Sequence, residues 1–125
     1  MDMAHTDIAL KEAMTIEGAL GVALVDIASG MALGMLGGGK ELDLALAAAG
    51  NTDLVRAKLR AMEMLGLGGS IEDILVTLTG QYHLIRPLTS RTGAGLFLYL
   101  ALDRNRANLA MARRRLQVVE SELEL

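Results

Sequence analysis

Residues 18–34 read GALGVALVDIASGMALG, and this stretch decides the architecture. Leu20 to Val25 is apolar without alternation, the pattern of a strand covered on both faces. Asp26, Ser29 and Gly30 then supply turn chemistry: a carboxylate that bonds nearby backbone N–H groups, and a residue tolerant of positive φ. Residues 31–36 return as a second strand. The reading is a tight antiparallel hairpin that needs helices above and below it.

On the N-terminal side, Thr6 is placed to cap a short helix over 7–14, with Leu10, Ala13 and Met14 on one side and Gly18 ending it. On the C-terminal side, residues 41–65 are helical in composition, with Gly50-Asn51 as the place at which the helix would kink or split. Asp53, Arg56, Arg60 and Glu63 form one polar stripe at helical spacing, and Val55, Leu59 and Met62 form the opposite apolar one. Leu54, Ala57, Ala61 and Leu65 widen the apolar side beyond what a surface helix requires. Gly66 to Ser70 stops the helix.

Three further strands follow at about 73–79, 81–88 and 96–102, with Gly80 and residues 89–95 as turns. A last helix runs from about Arg104, capped by Asp103 or Asn105. Leu109, Ala112, Leu116, Val119 and Leu123 form its apolar seam. The tail ESELEL sets acid against the negative end of the helix dipole, so the last turn is expected to fray. The element order α-β-β-α-β-β-β-α describes an α/β protein of the α+β kind. Short connections favour hairpin pairing, and one domain is expected over residues 1–125, with its core at about 7–123.

The bulk numbers describe a soluble cytosolic α/β domain. Apolar residues make up 52% of the 125 residues, but only two Tyr and one Phe occur. The core is therefore built from Leu, Ala, Val, Ile and Met. The absence of Cys removes disulfides, thiolate nucleophiles and cysteine metal sites, in keeping with a reducing cytoplasm. A net charge of −3 argues against nucleic-acid binding. No apolar run approaches the roughly 20 residues of a membrane helix, and MDMAHTD has no signal-peptide pattern.

Two stretches imitate active sites. Residues 34–41, GMLGGGKE, match G-x-x-x-x-G-K-[ST] except that Glu41 replaces the hydroxyl residue that would hold magnesium. Such a loop follows the first strand of a parallel unit, whereas this one follows the return strand of a hairpin. A flexible strand-to-helix connection is the favoured reading, and nucleotide binding through Lys40 a remote one.

The second stretch, QYHLIRPLTSR, gathers Tyr82, His83, Arg86, Ser90 and Arg91. Strand alternation puts Tyr82, Leu84, Arg86 and Leu88 on one side and His83, Ile85 and Pro87 on the other, so His83 and Arg86 diverge. His83 reads as a packed, hydrogen-bonded residue. No catalytic, metal or cofactor site is expected. The run Arg113-Arg114-Arg115 spreads around a helix, with Glu120, Glu122 and Glu124 nearby to offset it.

The element order and local text resemble the roadblock / dynein light-chain family. The hairpin GALGVALVDIASGMALG, the Ala/Leu-rich helix ending in MLGLGG, the strands in ILVTLTGQYHLIRPL and the closing GLFLYLALDRNRANLAMARRRL carry the resemblance over about residues 7–123. It implies a five-stranded antiparallel sheet in order 2-1-5-4-3 with helices on both faces. It further implies a homodimer joined through third strands and central helices, and a small Ras-like GTPase as partner, which the protein regulates or merely scaffolds.

An edge strand with apolar side chains and a wide apolar helix face agree with dimerisation. They single out Leu54, Ala57, Lys58, Ala61, Met62 and Leu65, with Ile74, Val76 and Leu78, as contact residues. Arg56, Arg60 and Glu63 are the candidates for facing the partner. The protein is expected to be a cytoplasmic non-enzyme.

Overall fold

The computed structural model describes residues 3–89 and 93–123. Ser90 and Arg91 of the fourth-to-fifth strand connection, and Glu124 of the acidic tail, lie outside the described residues. The elements are α1 (Met3–Met14), β1 (Ala19–Asp26), β2 (Ala32–Gly37), α2 (Leu44–Leu65), β3 (Ile74–Thr77), β4 (Gln81–Pro87), β5 (Leu96–Asp103) and α3 (Leu109–Glu122). The strands form one antiparallel sheet in the order β2-β1-β5-β4-β3, as the resemblance implied.

The uninterrupted apolar run in β1 has the expected cause. Val22 and Leu24 point into a core shared with α1 and α3, where Leu98, Leu100, Ala112, Leu116 and Val119 are buried. Ala23 and Val25 point the other way, into a core under α2 with Ile85, Phe97 and Tyr99. Each side of a doubly covered strand must be apolar, so alternation disappears. On α3 the seam is realised: Ala112, Leu116, Val119 and Leu123 are buried and Leu109 is half-buried.

The hairpin turn also forms as read. One carboxylate oxygen of Asp26 accepts from the Ser29 amide at 3.1 Å and from its hydroxyl at 2.7 Å. Gly30, at φ +74°, donates its N–H to the Asp26 carbonyl. The Ser29 hydroxyl, more than any other neighbour, holds the Asp26 carboxyl below its usual range.

Four boundaries differ from expectation. Thr6 does not cap α1: the helix begins at Met3, and Thr6 is fully buried within it. The fit depends on Gly34 of β2, where a Cβ would stand 2.9 Å from Leu10 and 3.3 Å from the Thr6 methyl. α2 passes unbroken through Gly50-Asn51, where Asn51 and Thr52 turn their side chains back onto the carbonyls of Ala47 and Ala48.

The cap of α2 is Asp43, whose Oδ1 accepts from Leu46 N–H at 3.1 Å. Glu41 instead lies in a tight turn closed by paired backbone bonds between Gly39 and Leu42. Finally, α3 starts at Leu109 with Asn108 as cap, rather than near Arg104. Asp103 does accept from Asn105 N–H, but it closes a single turn that ends at Ala107.

Candidate interaction surface

The sheet is not evenly covered by α2. The helix starts over one end of β1, where Leu44 abuts Gly21. Twelve residues later, at about 1.5 Å each, Arg56 reaches the other end, and its guanidinium donates to the carbonyls of Ile27 and Ala28. Up to that point Leu44, Ala48, Thr52 and Val55 are buried. Beyond it the helix overshoots the sheet. Leu59 and Met62 continue the inward stripe but lie past the strand ends, and Leu59 is 42% exposed. Met64, Leu65 and Leu67 are more exposed still.

The flanks of α2 have different surroundings. Ala45 and Leu44 line an open groove with Met35 and Leu36 of β2, so that flank faces the β2 edge. Leu54 is nine residues after Ala45, half a rotation away at about 100° per residue. It therefore faces the opposite flank, toward β5 and β4, and Lys58, Ala61 and Leu65 follow at helical spacing on the same side. Ala57 and Met62 border this stripe.

Beneath that flank the sheet lies open. α2 packs over β1 and β2, while β3, at the edge of the sheet opposite β2, has no strand on its outer side. On the same face Ile74 pairs with Ile85, and Val76 with His83. Ile74, Val76 and His83 are half-buried, whereas Ile85 is fully buried. Eight of the nine residues read as contacts lie on α2 or on β3: Ile74 and Val76, in register with Ala23 and Gly21, floor the groove beside the first turns of α2, whereas Ala61 and Leu65 lie beyond its other end. Leu78 does not lie in the strand: β3 ends at Thr77, and Leu78 bonds Gln81 across the hairpin turn.

His83 stands on the floor of this groove. Its Nε2 lies 2.7 Å from the Gln81 side-chain oxygen and its Nδ1 3.2 Å from the Tyr99 hydroxyl. Burial lowers the pKa of His83 and pushes that of Tyr99 up to about 12. As strand alternation required, Arg86 points to the other face, where it pairs with Glu120 of α3. Among the described residues no group of three His, Asp or Glu side chains is arranged to hold a metal.

The three charged candidates of α2 separate. Arg56 is committed to its own chain, bonding the β1–β2 turn and standing 3.9 Å from Asp53. Arg60 and Glu63 remain exposed. The arginine run divides likewise: Arg113 forms a two-pronged pair with Asp73 at 2.8 and 2.9 Å, and Arg115 bonds Thr15. Sequence spacing showed that Arg56 was polar and outward of the core stripe. It held no sign of the turn carbonyls 28 and 29 residues earlier.

GMLGGGKE is a connection, not a phosphate cradle. Its strand, β2, runs antiparallel to β1. The amide of Gly38 is bonded to Leu20 and that of Gly39 to Leu42. The place a phosphate would take at the helix N-terminus is held by the Asp43 carboxylate.

Similarity to known proteins enters at the level of structure. No family model matches the sequence, and a search of curated proteins returns no match. Among solved structures, a roadblock/LC7 domain from Streptomyces avermitilis superposes with a TM-score of 0.77 at 16% identity, covering 92% of this chain and 91% of that one. This is the roadblock/LC7 fold. Myxococcus xanthus MglB gives 0.74 at 20% identity over 95% of this chain and 81% of its own. A structure described as MglB with tetrameric arrangement gives 0.68 at 15% identity over 97% and 91%. The roadblock fold thus accounts for the sheet order and both helical layers. Among the described residues no helix is long and apolar enough to cross a membrane.

Proposed function

We propose that this chain is a non-enzymatic roadblock protein of the cytoplasm that forms a homodimer and, as a dimer, binds a small Ras-like GTPase and regulates its nucleotide cycle. The observation that carries the dimer is that two apolar surfaces lie uncovered: the overshooting half of α2, with Leu54, Ala61 and Leu65, and the groove beside the β3 edge, with Ile74 and Val76 and unpaired strand backbone. A second copy related by a twofold axis supplies both missing parts at once: a strand for the edge and a helix for the groove. That a similar MglB is described in a tetrameric arrangement supports self-association. The GTPase partner rests on the family resemblance, with Arg60 and Glu63 as the charges left free to meet it.

The direct test is Val76→Asp, which sets a carboxylate on the groove floor. Light scattering coupled to size exclusion is expected to show a monomer or aggregate, against a dimer for the unmodified chain. A well-folded, unchanged Val76→Asp dimer would sink the edge-strand model. For the partner, binding and GTP turnover are measured with a Ras-like GTPase from the same genome. A changed turnover rate supports regulation; binding at an unchanged rate makes the protein a scaffold; no binding removes the GTPase from the reading.

A further inference from the structure

We infer that His83 makes the proposed dimer pH-dependent: association requires the neutral imidazole and weakens as the ring takes up a proton. This rests on the association proposed above and adds a regulatory property to the same groove.

The geometry carries it. The Gln81 side-chain oxygen can only accept, so His83 Nε2 bears the hydrogen of that 2.7 Å bond. Nδ1 is then the acceptor for the Tyr99 hydroxyl. The two rings meet edge to face, with centroids 5.3 Å apart and planes at 81°, which fixes the imidazole in place. Both nitrogens of the neutral ring are thereby satisfied by uncharged groups. Protonation at Nδ1 obliges the Tyr99 oxygen to accept and turns its own hydrogen out of the pair. In a lone protomer the half-buried ring still meets water, which solvates the charge, although Tyr99 itself is fully buried. Under a partner's apolar helix that solvation is lost, and a buried unpaired charge is costly.

Among the described residues no charged side chain bonds the ring. On β4 the neighbour is Gln81, on β3 it is Val76, and on β5 they are Tyr99 and Ala101. Asp103, opposite Gln81 in register, uses its carboxylate on the Asn105 amide. Among the described residues no ion pair includes His83.

The sign follows from linkage. The dimer holds fewer protons than two free protomers, so affinity is full above the protomer's His83 pKa and is lost as pH falls through it. Two copies titrate together; a further lowering of one unit in each weakens association about a hundredfold at low pH.

Sedimentation of the full chain at about pH 7.5 and about pH 5, with circular dichroism at each pH, tests this against His83→Gln and His83→Phe. The unmodified dimer is expected to weaken at least about tenfold at the lower pH, with its fold retained, while both variants hold one affinity. A dimer of equal affinity at both pH values overturns this inference and leaves the dimer standing. So do variants that lose affinity on acidification as the unmodified chain does. A monomer at every pH overturns the association itself, and this inference with it. Should the variants not fold, the His83 ring resonance of the unmodified chain decides: its midpoint must fall as protein concentration rises, and a constant midpoint refutes the claim.

Discussion

Arg56 offers a sharp test of how α2 is held, because the structure uses inward a charge that the sequence offered outward. Three N–H···O bonds join it to Ile27 and Ala28, at 3.0, 2.6 and 2.6 Å. Charge-assisted bonds are worth up to about 3 kcal/mol each when buried. The Arg56 side chain is 39% exposed, and water reaches the Ala28 carbonyl once the guanidinium is gone, so the sum is strongly discounted. The expected loss for Arg56→Ala is about 1.5 kcal/mol. With an unfolding entropy of about 2.1 cal/mol/K per residue over 125 residues, that lowers Tm by about 6 °C. Arg60→Ala, one turn further along and past the sheet, is expected to change Tm by less than about 2 °C. Scanning calorimetry on the two variants decides. If Arg56→Ala melts with Arg60→Ala and instead loses partner binding, the clamp is wrong and Arg56 belongs to the outer surface.

Three more outcomes follow from backbone and charge. Gly38→Ala places a Cβ 2.9 Å from the Leu42 carbonyl at φ +79° and is expected to cost about 2 kcal/mol in urea titration. Gly50→Ala in mid-helix, with nothing within 4 Å, is expected to gain up to about 1 kcal/mol by the same assay. The Glu122 carboxyl is held above its usual range, first by its hydrogen bond with Glu12 and then by that group's charge. Its contribution to stability is therefore present below the unfolded pKa and lost as pH rises through the folded one. Glu122→Gln should raise Tm near neutral pH and leave it unchanged near pH 3; equal Tm values at neutral pH would dispose of the carboxyl pair.

Much of the fold was written locally, and the misses share a cause. β1 and its turn were legible because Leu20 to Val25 and Asp26, Ser29 and Gly30 act over a few residues. The α3 seam was legible because period and burial coincide. Caps were harder: Asp103, Asn105 and Asn108 are all competent, and only the path back from β5 selects Asn108. Thr6 looked like a cap until Gly34, 28 positions later, let α1 settle over it.

The groove was half legible. Periodicity gave the direction in which Leu54, Ala61 and Leu65 point, but not where the sheet beneath them ends. The overshoot of α2 depends on the length of β1, which is a tertiary fact. The bond of His83 to Tyr99 joins strands by register, and no spacing rule reaches across a turn of unspecified length.

The strand order has a consequence for how the chain comes together. The middle seam of the sheet joins β1, at residues 19–26, to β5, at residues 96–103, so its two sides are made far apart in time during synthesis. Until β5 leaves the ribosome, the edge of β1 that it will occupy is bare, although α1 and α2 are already made to cover the two faces of the hairpin. Closure of so long a loop is slow compared with forming a hairpin or helix. The last strand thus completes the centre of the molecule rather than its rim, and folding is finished from the inside.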